Sequence, residues 1–224
     1  MDICQFCNKK SSATDKLDDD ELILLGDSCV GVVFSKGDII FKQNALSSNV
    51  IYIKEGLVKI HTKGPEKEQI LKIAKGPAYL GIPTTFGDKV NHYSATAIIS
   101  TSVCFIDINI FKNFIYENHE FAYEIIVELC KDELLQFDRC VNLVQKHVNG
   151  RLAGTLLYFS ETIYQSNTFT LPLSRNELAD LIATSRETVS RLLSELNKEK
   201  IIQINEKKIK LLDIEKLRKI SCKG

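Results

Sequence analysis

Arg186, Glu187, Ser190 and Arg191 stand at positions i, i+1, i+4 and i+5, which is one face of an α-helix. An arginine fork matches the O6 and N7 acceptors of guanine. A carboxylate accepts from cytosine N4, and a serine hydroxyl can meet a neighbouring base. Side chains of this kind, on the first turns of a helix, can read base edges in a major groove. The same charges could equally be a solvated helix face with i, i+4 pairing, so the surrounding elements decide between the two readings.

Those elements are legible in residues 173–193. Ser174 with Glu177 has the capping-box spacing that satisfies two backbone donors at a helix start, and Leu178, Leu181 and Ile182 then form one apolar face. Thr184 with Glu187 repeats the spacing, and Val189, Leu192, Leu193 and Leu196 give a second helix its buried face. Two capped amphipathic helices with a short connection predict a helix-turn-helix whose second helix exposes the quartet. Residues 201–204 and 208–212, joined by Asn205-Glu-Lys207, predict a short β-hairpin, which makes the module winged.

Residues 173–212 resemble the DNA-binding domain of the Crp/Fnr family, and Thr-Ser-Arg-Glu-Thr-Val-Ser-Arg at 184–191 is a specific match to that family's recognition helix. The resemblance implies that Arg186, Glu187, Ser190 and Arg191 read bases and that Ser174 and Arg175 touch the DNA backbone. It further implies a homodimer on an inverted repeat in double-stranded DNA, with RNA polymerase as another partner.

A length of 224 residues accommodates two domains with separate cores, and 44% hydrophobic with 26% charged residues is ordinary for a globular protein. No apolar run approaches the roughly 20 residues of a transmembrane helix. The start, Met-Asp-Ile-Cys-Gln-Phe-Cys, has neither the basic nor the apolar region of a signal peptide, so a cytoplasmic protein with no membrane partner is expected. Charge is balanced overall but not along the chain. Residues 1–150 hold 16 Lys+Arg against 20 Asp+Glu, a net of −4, and residues 151–224 hold 13 against 9, a net of +4. The positive half carries the helix-turn-helix, as attraction to phosphates requires.

Upstream, residues 15–26 read as a short acidic helix ended by Gly26. Short β-rich runs follow at 30–34, 39–41, 50–54, 57–62, 69–73, 95–99 and 102–106, separated by turns such as Lys36-Gly-Asp38 and Lys75-Gly-Pro77. This pattern predicts a sandwich or jelly roll, and it resembles the double-stranded β-roll sensor domain of the same family. Residues 121–148 predict one long helix. Tyr123, Val127, Cys130, Leu134, Phe137, Val141, Val144 and Val148 step by three and four as an a/d seam, beside a second stripe through Ala122, Ile126, Leu129, Cys140 and Leu143. A helix apolar on two sides needs two covers, one of which the resemblance assigns to a partner's helix. The expected fold is therefore α+β: a β-roll sensor domain with a Cys-containing N-terminal segment (1–120), a dimerisation helix (121–148) and a winged helix-turn-helix (149–224). Asn149-Gly150 is the expected hinge.

Two sensor sites are candidates. In cyclic-nucleotide-binding relatives, a Gly-Glu binds the ribose and an Arg-Ser or Arg-Thr binds the cyclic phosphate. The matching positions here are Gly81 with Ile82, and Tyr93 with Ser94. Without the arginine a buried phosphodiester lacks its charge-assisted partner, so cyclic AMP is not expected, whereas a more apolar effector remains open. The second candidate is thiol chemistry. Cys4-Gln-Phe-Cys7 has a C-x2-C spacing that lets two thiolates share a metal. Cys104 matches the distant cluster-ligand cysteine of the fumarate–nitrate regulator. An iron–sulfur cluster would also need Cys29 or a non-cysteine fourth ligand, since no third N-terminal cysteine precedes the acidic helix; another metal or a thiol–disulfide switch is the alternative. No Walker loop, G-x-S-x-G or H-E-x-x-H is present, so no enzyme is expected. The competing reading is a β-roll signalling module that acts through a protein partner, and the base-reading quartet argues against it.

Overall fold

A computed structural model describes residues 9–223 of the chain, and the chain divides into two units at Glu133/Leu134. The first unit is built on two four-stranded antiparallel sheets. One has the order β1 (Cys29–Phe34), β8 (Thr101–Asp107), β3 (Asn49–Glu55), β6 (Ala78–Leu80). The other has the order β2 (Ile39–Phe41), β7 (Ser94–Ala97), β4 (Leu57–Lys63), β5 (Glu68–Lys75). The two-residue period of a strand sends alternate side chains to opposite faces. Ile51, Ile53 and Val103 enter a core shared with Val58, Ile60 and Ala95 of the second sheet. Val50, Tyr52, Cys104 and Ile106 face the other way, into a second core closed by helices.

Those helices are α1 (Asp19–Ser28), α3 (Ile108–Glu117) and the start of α4 (His119–Gln145), which contribute Leu22, Leu25, Phe111, Phe114, Phe121 and Ile125 to the second core. Helix α1 begins at an Asp18–Glu21 capping box and runs through Gly26 to Ser28, so Gly26 is not its end. The chain leaves α1 directly into the extended Cys29 of β1, which removes the need for a left-handed cap. Strands β6 and β9 (Thr168–Thr170), three residues each, fall below the length at which alternation can be read.

Helix α4 is uninterrupted over 27 residues. Much of its seam is exposed among the described residues: Leu134, Phe137 and Val144 are 62%, 57% and 85% exposed. The helix ends before the extended residue His147, which starts α5 (Val148–Tyr158). Asn149 and Gly150 therefore lie inside a helix and not at the expected hinge, and the break falls at Lys146-His147. No helix among the described residues is long and apolar enough to cross a membrane.

Candidate nucleic-acid interface

In the second unit, α5 and the π-helical segment Phe159–Tyr164 lead into β9, which pairs antiparallel with β11 (Lys208–Leu211) of the hairpin. Strand β11 in turn pairs with β10 (Ile202–Asn205). Helix α8 (Ile214–Lys223) returns along α5. On this base sit α6 (Arg175–Leu181) and α7 (Arg186–Lys198). Ser174 caps α6 with both bonds of the capping box: its hydroxyl accepts from the Glu177 amide at 3.2 Å, and the Glu177 carboxylate accepts from the Ser174 amide at 2.9 Å. Leu178, Ala179 and Leu181 are buried beneath. Ala183, in the turn, holds a left-handed φ of +52°.

The second helix starts one residue later than the Thr184–Glu187 spacing suggests. Ser185 is the N-cap, and its hydroxyl accepts from the Thr188 amide at 3.2 Å. Thr184 instead donates its amide to the Ala179 carbonyl and belongs to the turn. The change of register leaves the faces as expected. Val189, Leu192 and Leu193 are buried, Leu196 is half-buried, and Arg186, Glu187, Ser190 and Arg191 are exposed together. Glu187 is held below the usual carboxylate range by its own backbone amide, the Ser185 hydroxyl and the nearby Arg186, so it is an ionised acceptor at neutral pH. Arg191 pairs with Glu195 at 2.7 Å rather than with Glu187. Ser174 is exposed and Arg175 half-buried, with burial drawing the Arg175 guanidinium down.

Sequence reasoning passed over two groups here. Lys208 and Lys210 share the exposed face of the wing with Gln203 and Asn205, in register Gln203↔Lys210 and Asn205↔Lys208. The strand alternation already present in the sequence marks that face. Arg139 and Arg151 hold the turn between α6 and α7 from behind, and no local pattern reveals them.

The effector-pocket residues meet in the first unit with their polar groups engaged by the protein itself. Gly81 takes φ +82° at the start of the short helix α2 (Ile82–Phe86), and Ile82 is buried. Tyr93 stacks at a tilt on Phe41, with ring centroids 5.6 Å apart. Burial raises its phenol above the usual range, while the Gly81 backbone and the Thr84 hydroxyl pull the other way. The Ser94 hydroxyl accepts from the Gln43 amide at 2.9 Å. Lys72 lies 2.6 Å from both carboxylate oxygens of Asp132 on α4. Burial raises the Glu128 carboxyl one turn earlier. His92 is exposed and bonded to Asp88.

Of the cysteine candidates, Cys4 and Cys7 lie outside the described residues. Cys104 is buried on β8, on the face that also carries Cys29 and Tyr52. A small cavity there is lined by Lys9, Thr14, Cys29, Tyr52, Tyr79 and Cys104. The Tyr52 hydroxyl donates to the Lys9 carbonyl at 2.6 Å, and Thr14 and Tyr79 share a 2.7 Å hydrogen bond. Among the described residues, no three His, Cys, Asp or Glu side chains are grouped to hold a metal.

A two-sheet roll, a long helix and a winged helix-turn-helix with an exposed polar quartet define the class of DNA-binding regulators. Residues 31–118 match the family described as cyclic nucleotide-binding domain, and residues 150–220 match the Crp-like helix-turn-helix domain. Nitrogen fixation regulation protein FixK of Bradyrhizobium diazoefficiens is 30% identical over 217 residues, covering 94% of this chain and 90% of that protein. The CRP-like cAMP-activated global transcriptional regulator of Mycobacterium tuberculosis is 24% identical, over 83% of this chain and 85% of that one. FixK2 from Bradyrhizobium japonicum shares the fold with a TM-score of 0.79 at 20% identity, over 88% of this chain and 98% of that chain. The chain belongs to the Crp/Fnr family of DNA-binding transcription regulators, and the α+β architecture expected from the sequence is that family's fold. The relatives are named as regulators rather than enzymes.

Proposed function

We propose that the chain is a homodimeric regulator that binds an inverted repeat, with α7 of each protomer in a major groove. The observation that carries this reading is the shared exposure of Arg186, Glu187, Ser190 and Arg191 over a fully buried Val189–Leu192–Leu193 face. Glu187 and Arg191 read one C·G pair, within the T-G-A core that the family resemblance implies. Arg186 and Ser190 read flanking bases, and Ser174 and Arg175 hold phosphates. Reading the base frees Arg191 from Glu195, an exposed pair whose loss costs at most about 1 kcal/mol. The exposed seam of α4 supports the dimer. Selection of bound sequences from a random pool tests the reading. The expected product is an inverted repeat with half-site centres about 10 base pairs apart; single half-sites, or no preference, would overturn it.

The signal in this reading is redox or metal chemistry at Cys104 with Cys4 and Cys7. Lys9, two residues after Cys7, is tied to Tyr52, which stands opposite Cys104 in the sheet, and Cys29 lines the same cavity. Cys29 and Cys104, which line one cavity, would be two of the ligands of a metal or cluster, and Cys4 and Cys7, outside the described residues, would supply the others. Such a group, when bound, would keep the thiolates deprotonated and open to oxidants. Protein prepared without oxygen is expected to contain iron or zinc, and a Cys4/Cys7/Cys104→Ser variant is expected to lose the oxidant response of DNA binding while remaining dimeric. Metal-free protein whose DNA binding ignores oxidant and reductant would overturn this part of the proposal.

A further inference from the structure

Two guanidinium groups close on the carbonyl ends of two helices in the second unit. Arg151, in the first turn of α5, donates from Nε to the Ile182 carbonyl at 2.9 Å and from Nη2 to the Ala183 carbonyl at 3.3 Å. Its Nη1 donates to the Lys146 carbonyl at 2.7 Å and the Leu143 carbonyl at 3.2 Å. Arg139, on α4, donates from Nη2 to the Leu181 carbonyl at 2.8 Å. Leu181 ends α6, Ile182 caps it, and Ala183 is the left-handed residue from which the chain turns into α7. Leu143 lies in the last turn of α4, and Lys146 directly follows its last residue, Gln145.

The last four carbonyls of a helix have no partner within it, and together they carry about half a negative charge. Here two such ends converge on one side chain. The planar guanidinium offers five donors in a fixed fork, so one arginine can serve both ends at once, whereas a lysine ammonium is a compact point with three donors. Arg151 also sits in the first turn of its own helix, where the macrodipole disfavours a cation. Local helix energetics therefore do not account for an arginine at this position, and its four bonds to other elements do. Both arginines are half-buried with these donors on backbone carbonyls and not on the exposed face of α7.

We infer that Arg139 and Arg151 are positioning residues for DNA binding: they lock the α6–α7 turn to the end of α4 and so set the bearing of each recognition helix on the dimer helix. The inference rests on the dimeric, inverted-repeat reading above. Its consequence is specific, because a clamp of this kind governs the distance between two recognition helices rather than the chemistry of either.

The test uses the full chain with Arg151→Lys and, separately, Arg139→Lys. Binding is measured to the selected inverted repeat, to the same half-sites moved one base pair closer or further apart, and to a random duplex across a salt series. Wild type is expected to prefer the native spacing. Each variant is expected to lose about tenfold on that spacing and far less on the altered ones, a coupling of ordinary allosteric size. Random-duplex affinity and its salt slope should stay at the wild-type values. Should Arg151→Lys fail to fold by circular dichroism, Arg139→Lys, which removes a bond to a single carbonyl at this turn, carries the comparison. Variants that keep the wild-type spacing preference overturn the clamp. Parallel loss on every duplex with a shallower salt slope also overturns it, by making the arginines phosphate contacts. A wild type indifferent to spacing overturns the dimer reading itself, and the clamp with it.

Discussion

The β-roll pocket and the recognition helix use their polar side chains in opposite ways. Around Gly81, the Thr84 hydroxyl donates to the Gly81 carbonyl, Ser94 accepts from Gln43, and Lys72 is paired with Asp132. Tyr93 lies beside Gly81, tilted against Phe41. A ligand bound here would have to displace bonds the protein already makes, and would meet no guanidinium of the first unit to repay the desolvation of an anion. Along α7 the pattern is reversed. Arg186, Glu187, Ser190 and Arg191 are exposed, and the one ion pair among them, Arg191 with Glu195, is solvated and cheap to exchange. The same chain thus has one polar region whose groups are bonded to one another and one whose groups are exposed, and only the structure shows which hydrogen bonds make that difference.

The contrast can be broken most forcefully from below α7. Leu193 is 1% exposed, and Leu193→Ala should cost about 2–5 kcal/mol of stability, read by thermal unfolding, with DNA binding lost alongside. A much smaller loss would mean that the quartet does not rest on a packed base. Next comes the exposed surface itself. Arg191→Ala should cost roughly 1–3 kcal/mol on the preferred site and flatten preference at one base pair. Uniform weakening across all sequences would reassign Arg191 to a phosphate.

Capping separates two neighbours of similar appearance. Ser185→Ala should destabilise by about 1 kcal/mol through the lost N-cap, while Thr184→Ala should not show a cap's loss. The reverse order would restore the register suggested by the Thr184–Glu187 spacing. pH then tests the quartet's carboxylate. Glu187 is held below the ordinary glutamate value of about 4.3, so its acceptor role is present above that value and is lost only as pH falls through the lowered one. Base preference at its pair should stay flat from about pH 8 to 5; a decline within that window would mean that the carboxylate is not held down. The smallest expected effect is in the β-roll region, where calorimetry with cyclic AMP should show no saturable heat at micromolar concentration. Clear binding that tightened DNA affinity would show that the nucleotide is accepted despite Tyr93 and Ile82.

Much of this was legible beforehand because it depends on short-range order. The Ser174–Glu177 box, the apolar faces of α6 and α7 and the short β-rich runs of β3, β4 and β8 are all set within one or two turns or a single strand. The missed features have identifiable causes. Three-residue strands such as β6 and β9 owe their existence to neighbours that complete their ladders. Gly26 and Gly150 looked like stops, yet each continues a helix, because a glycine permits a break without requiring one.

By itself, the sequence determined the periods: which faces are apolar, where helices are capped, and that an exposed Arg-Glu-Ser-Arg face would accompany a buried leucine face. Only the tertiary structure decided the partners. It paired Arg191 with Glu195, moved the α7 cap to Ser185, set Tyr93 against Phe41, and brought Arg139 and Arg151 onto carbonyls up to 42 positions away in the chain. The physical reason is that periodicity is set by backbone geometry within a few residues, whereas a hydrogen bond between distant elements exists only once the whole core has placed both ends.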